Sequence, residues 1–291
     1  MFTATLIAAG ALSRGDISSA EDALRSAGAE PTGWAWLDEG DAADLAFTGD
    51  PAAARGALEA MPFDVVVQPS WGRFKKLLVA DMDSTMITIE CIDELADYAG
   101  IKAEIAAVTE AAMRGELDFV EALDARVALL KGLEEGVIAR CREERVRIMP
   151  GARALVRTMR ADGARTVLVS GGFTAFAEPV AAEIGFDVAI ANRLGVGEGK
   201  LDGIVDRPIV DAATKLATLK AERDRLGLAS AETLAVGDGA NDIPMIEAAG
   251  LGVAYHAKPR TAAAAAARIE RGDLTALLWA QGYRRAQWVR E

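Results

Sequence analysis

The chain has 291 residues, 51% of them hydrophobic and 26% charged, and carries a net charge of -12 with a pI near 4.8. Such a make-up belongs to a soluble globular protein with room for two domains, or for one domain with an insertion. The acidity excludes nucleic-acid binding through a basic surface, but not an anionic substrate held at a locally positive or metal-bearing site.

Residues 1 to about 70 form the first unit. "TATLIAA" reads as a strand, and "SSAEDALRSAG" as a helix opened by a Ser cap and closed by Gly28. The faint likeness of the N-terminus to a secretion signal lacks a preceding Lys or Arg, so a first strand and a cytoplasmic location are expected. "GWAWLDEG" and "ADLAFTGD" are strands joined by a polar turn; "PAAARGALEAM" is a helix with Pro51 in its first turn; "FDVVVQP" is a last strand. The order β-α-β-β-α-β predicts a small ferredoxin-like α+β domain over residues 1–73, structural or regulatory in role.

From residue 74 the pattern changes. The apolar runs in "LLVADMDST", "RTVLVSGGFT", "TLAVGDGAND" and "GLGVAYHAKP" alternate with helical segments such as "GARALVRTMRADG" and "ATKLATLKAERDRLG". Apolar strands alternating with helices predict an α/β domain over residues 74–291, built on a Rossmann-like parallel sheet covered on both faces. Ligands bind such sheets at the carboxyl ends of the strands, where Asp81, Asp83, Ser170, Gly171, Asp238 and Asn241 fall. A helical stretch over about 88–148 is long enough to be a cap over that end. "FDVAIANRLGVGEGKLDGIVDRPIV" reads as a strand followed by a hairpin with a Gly-rich turn. No apolar run reaches the roughly 18 residues of a membrane span.

Asp81 and Asp83 stand one residue apart after a buried strand, and alternation turns both carboxylates the same way. Such like charges call for a cation between them, and an all-oxygen ligand set suits Mg²⁺. Asp238 and Asp242 of "GDGAND" can complete that site. Lys215 follows Asp211, a helix N-cap candidate; near the positive end of a helix a lysine is mildly disfavoured unless an anion binds there. It reads either as a phosphate ligand or as a solvated lysine. Arg126 shares a helical stripe with Phe119, Leu123, Val127 and Leu130, and an arginine on an apolar stripe needs an anionic partner. That partner is either a substrate or an internal acid such as Glu116 or Glu121. Two cysteines, Cys91 and Cys141, read as buried free thiols, and the single His256 as structural.

In order, "DMDST", "VSGGF", the lysine of "DAATK" and "GDGAND" resemble the haloacid dehalogenase-like phosphatase superfamily, over about residues 74 to 291. "DMDSTMITIE", with Glu90 nine residues after Asp81, narrows the resemblance to the phosphoserine phosphatases. So do "MRGELDFVEALDARVALLKGL" and "ANRLGVGEGKLDG". Residues 1–73 resemble the degenerate ACT-like domains ahead of some bacterial members. The resemblance implies hydrolysis of O-phospho-L-serine in the last step of serine biosynthesis. Asp81 would be the nucleophile and Asp83 the acid and base. Mg²⁺ would be held by Asp81, Asp238 and the main-chain carbonyl of Asp83. Ser170, Gly171 and Lys215 would bind phosphate. Glu90, Phe119, Arg126 and Asn241 would bind the rest of the substrate. Action on another small phosphomonoester, or transfer to an alcohol acceptor, stays open, as do an amino-acid sensor built on the N-terminal unit and a homodimer.

Overall fold

The computed structural model describes residues 1–289. Its chain begins with β1 (Phe2–Ile7), α1 (Arg14–Ser26), β2 (Glu30–Asp38), β3 (Ala42–Thr48), α2 (Pro51–Leu58) and β4 (Asp64–Pro69). The strands form an antiparallel sheet in the order β2-β3-β1-β4, the ferredoxin-like arrangement expected. One boundary differs. α1 is capped at Ser13, five residues before the expected Ser18, because Ser13 accepts from the Asp16 amide while the Asp16 carboxylate accepts from the Ser13 amide. This reciprocal box satisfies two helix-end donors, which Ser18 alone cannot do. One face of the sheet packs on α1 and α2 through Leu6, Leu45, Phe47 and Leu24.

β5 (Leu77–Ala80) opens the second unit and leads into four helices, α3 (Cys91–Ala99), α4 (Lys102–Met113), α5 (Phe119–Leu129) and α6 (Gly136–Arg145). There follow α7 (Ala152–Ala161), β6 (Arg165–Phe173), α8 (Thr174–Ile184) and β7 (Val188–Asn192). The hairpin is β8 (Leu194–Gly197) and β9 (Lys200–Val205), turning at Glu198 and Gly199, both with positive φ. The chain ends with α9 (Ala212–Arg225), β10 (Thr233–Gly237), α10 (Ile243–Ala248), β11 (Leu251–Tyr255), α11 (Pro259–Ala264), β12 (Ala267–Ile269) and α12 (Ala276–Gln281).

Six strands pair in parallel in the order β12-β11-β10-β5-β6-β7. Every residue of β5, β10 and β11 is buried, so their apolar runs are explained by cover on both faces. From β5 the chain runs outward through β6 and β7, then returns to the other side as β10. The topological switch therefore lies between β5 and β10, and a crevice opens there at their carboxyl ends.

The two units share packing. Ile7, Ala42 and Val66 join the cluster that contains Leu277, Leu278 and Trp279 of α12. The Arg73 guanidinium forks onto Asp44 at 2.7 and 2.8 Å. The buried Asp64 carboxylate accepts amides of Glu270, Arg271 and Gly272. Among the described residues, no helix is long and apolar enough to cross a membrane.

Candidate active site

The crevice beyond β5, β6 and β10, walled on its far side by α5, encloses a cavity of about 310 Å³. Asp81, Asp83, Glu90, Phe119, Arg126, Ser170, Gly171, Asp238 and Asn241 all line it. Lys215 is fully buried beneath. The residues singled out in the sequence thus converge, although they are spread over 160 positions.

Asp81 follows β5 directly, and its amide bonds the Val236 carbonyl of β10, which locks the two strand ends together. Its carboxylate lies 2.6 Å from Lys215 Nζ, which donates at 2.7 Å to Asp242 as well. Asp211 caps α9 by accepting from the Thr214 amide, so Lys215 does project from the first turn of that helix. The solvated-lysine reading is ruled out. Its charge is offset from two sides by carboxylates, which hold its pKa above the ordinary lysine value against the opposing effect of burial.

Carboxylate oxygens of Asp81, Asp238 and Asp242 lie within 4.8 Å of one another. Burial raises the Asp81 pKa well above the usual range, with Asp242 adding to the shift. Burial likewise lifts Asp238 to about 6, although Thr85 donates to it at 3.2 Å. Three carboxylates offering oxygen donors make a site that fits a hard divalent cation. Gly237 is required here, because a β-carbon at this position would overlap the Asp242 carboxylate.

Asp83 lines the same cavity but has different partners. Its carboxylate accepts from the Cys91 amide at 3.3 Å and from the Cys91 thiol at 3.1 Å. Burial first, then the Glu90 charge, lifts its pKa to about 7. A carboxyl poised there can both give and take a proton near neutrality. Both cysteines are buried and unbridged, as expected, but Cys91 also orients an acidic group. His256 is exposed, its ring 3.0 Å from the Gly272 carbonyl, and it is not among the residues that line the cavity, consistent with a structural part.

Ser170 ends the apolar run of β6, and its hydroxyl accepts from the Gly172 amide at 2.9 Å. Asn192, buried at the end of β7, donates to the Gly171 and Val210 carbonyls and accepts from the Val210 amide. It thereby stiffens the irregular end of β6 at Ser170–Gly172. Phe119 lies over this strand end, near enough that a β-carbon on Gly171 would sit 3.2 Å from its ring.

Arg126 of α5 reaches the cavity beside the buried Leu123, while Val127 and Leu130 are buried in the core. Neither internal acid takes it. Glu116 pairs with Arg114 at 2.6 Å, and Glu121 accepts from the Asp118 amide at the helix start. Arg126 Nε donates to the Ala122 carbonyl, burial lowers its pKa, and among the described residues no carboxylate forms an ion pair with it.

In the presence of a chelator the site should carry a pH signature. Asp81, Asp83 and Asp238 all bind their proton more tightly in the folded chain than at the ordinary aspartate value of 3.8. Their contribution to stability is complete below pH 3.8 and is lost as pH rises through about 6 for Asp238 and about 7 for Asp83. Thermal melts in EDTA should therefore show the wild-type midpoint falling between pH 5 and 8 relative to an Asp83→Asn/Asp238→Asn variant, and a divalent cation added at pH 8 should reverse the fall. Parallel curves for the two proteins would contradict this electrostatic picture.

Residues 78–247 match the haloacid dehalogenase-like hydrolase family. A phosphoserine phosphatase of Polaromonas sp. is 48% identical over 208 residues, covering 70% of this chain and 88% of its own. The crystal structure of a probable phosphoserine phosphatase from Vibrio cholerae, in its unliganded form, superposes with a TM-score of 0.79 at 33% identity. That match covers 98% of this chain and 87% of the other. A phospho-aspartyl intermediate analogue of phosphoserine phosphatase is 38% identical with a TM-score of 0.65, over 70% of this chain and 98% of that one. With a matched family spanning more than half its length and a set of strand-end carboxylates in that family's order, the chain belongs to the haloacid dehalogenase-like hydrolases, among the phosphoserine phosphatases.

Proposed function

We propose that the protein hydrolyses O-phospho-L-serine to L-serine and phosphate through an aspartyl-phosphate on Asp81, completing serine biosynthesis. One observation carries the reading. The cavity that holds Asp81 and Asp83 also holds a glutamate and an arginine that forms no ion pair among the described residues, the two charges needed to clasp a zwitterionic substrate.

An Oδ of Asp81 attacks phosphorus while Asp83, protonated, delivers its proton to the departing serine oxygen. Asp83, now a carboxylate, takes a proton from water as that water attacks the acyl-phosphate and frees Asp81. The Asp83 pKa of about 7 suits both halves of this cycle. Lys215 offsets part of the cost of burying Asp81 and draws its attacking oxygen toward the ionised form. Ser170 and the Gly171 amide receive phosphate oxygens, with Asn241 at the opposite lip. Mg²⁺, held by Asp81, Asp238 and the Asp83 carbonyl with Asp242 alongside, would neutralise charge between nucleophile and phosphate when bound.

Arg126 pairs with the substrate carboxylate in a fork, Glu90 meets the ammonium, and Phe119 closes the pocket. The division into residues 1–73, a catalytic unit over 74–291 and a cap at about 88–148 belongs to the same proposal. The N-terminal unit braces the catalytic unit through Arg73, Asp64 and α12.

Arg126→Ala tests the substrate. It is expected to lower kcat/KM for O-phospho-L-serine by about 10²-fold, the worth of two charge-assisted hydrogen bonds. The loss for p-nitrophenyl phosphate, which has no carboxylate, should be far smaller. Equal losses for both substrates would refute the pocket assignment.

A further inference from the structure

Between Asp81 and α3 the chain makes a tight return. The amides of Thr85, Met86 and Ile87 all point at the Met82 carbonyl, and the Ser84 amide bonds the Ile89 carbonyl at 3.2 Å. Ser84 itself has φ of 55°, one of four positive values among the described non-glycine residues. A residue with a β-carbon adopts this conformation at a cost, which the surrounding structure has to compensate. What the conformation achieves is a contact. It places the Ser84 hydroxyl 2.7 Å from Glu90 Oε1, to which it donates.

Glu90 has few other means of being held. It occupies the N-cap position of α3, yet its side chain makes no capping bond to the helix amides. It is exposed and lines the cavity, so without a tether its carboxylate would sample several rotamers. A hydroxyl fixed on one oxygen leaves the other available to an incoming donor.

We infer that Ser84 is a positioning residue for specificity: its strained backbone aims a hydroxyl that orients Glu90 toward the substrate's ammonium group. The inference rests on the substrate reading above and deepens it. Selection for a cationic amine beside the phosphate is thereby built into the nucleophile's own loop. The neighbouring bonds from Cys91 to Asp83 tie the same two stretches together, so the acid and the ammonium ligand are registered against each other.

Two variants separate orientation from folding. Ser84→Ala removes the hydroxyl and keeps the strain; Ser84→Gly removes both, and glycine accepts this φ readily. In each, the ratio of kcat/KM for O-phospho-L-serine to that for p-nitrophenyl phosphate should fall about tenfold, as expected for losing one hydrogen bond to a charged group. A rise in KM should account for more of the loss than a fall in kcat. Ser84→Gly should melt no lower than Ser84→Ala. In a Glu90→Ala background, Ser84→Ala should change the ratio by less than about twofold, because its route of action is gone.

An unchanged ratio in both single variants, or an effect that simply adds to that of Glu90→Ala, would overturn the inference while leaving the substrate reading intact. A wild-type protein with no preference for O-phospho-L-serine would overturn both.

Discussion

Asp81→Asn is expected to lower kcat for O-phospho-L-serine by on the order of 10⁴-fold or more, as removal of a nucleophile does elsewhere. The amide keeps the shape of the side chain but cannot form the covalent phosphoryl intermediate. Folding should survive. Burial and Asp242 both disfavour the Asp81 charge, so neutralising it removes a repulsion, and Lys215 keeps its 2.7 Å partner Asp242. A midpoint equal to or above wild type in EDTA, together with lost turnover, is the expected pair of results. Activity within tenfold of wild type would place the nucleophile elsewhere.

Lys215→Met should affect stability as strongly as catalysis. Lys215 and Asp242 are fully buried and Asp81 nearly so; deleting the cation leaves two buried carboxylates facing each other. Breaking a buried pair by removing one partner costs about 3–5 kcal/mol. That figure should appear in urea unfolding at pH 8 in EDTA. The deficit should shrink toward pH 5, where the raised Asp81 pKa lets the group take up a proton, and should shrink on adding a divalent cation. Phosphate turnover should fall by about 10²–10³-fold, the usual effect of losing a fixed charge that stabilises the transition state. A variant as stable as wild type at pH 8 would mean that the lysine is not compensating for these acids.

Much of this was legible along the chain because its signals are local. β5 and β10 are continuous apolar runs ending in acidic motifs, and parallel topology alone brings such ends together. The α5 stripe announced both a buried face and Arg126 as its misfit. The Asp50–Pro51 helix start and the turn after β8 carry their residue signatures openly. What stayed hidden depends on partners far apart in sequence or on backbone angles that residue type does not encode. Asn192 buttresses the end of β6 by bonding Gly171 across 21 positions; the signal was a strand-averse Asn ending "VAIAN". Ser84 reads as part of a motif, but nothing in its identity specifies φ of 55°. Lys215 was expected to bind phosphate, whereas its grip on both Asp81 and Asp242 emerges only when α9, β5 and the turn after β10 meet. The Ser18 boundary failed because two serines competed, and the reciprocal bond with Asp16 decided between them.

The most direct test is steady-state phosphate release from O-phospho-L-serine, O-phospho-L-threonine and p-nitrophenyl phosphate, each with Mg²⁺ and with EDTA. Efficient turnover of O-phospho-L-serine over the other two, abolished by EDTA, is the expected result. Metal-dependent turnover without that preference would contradict the roles of Glu90 and Arg126. Absence of turnover on all three would contradict the assignment of Asp81 as a phosphoryl acceptor.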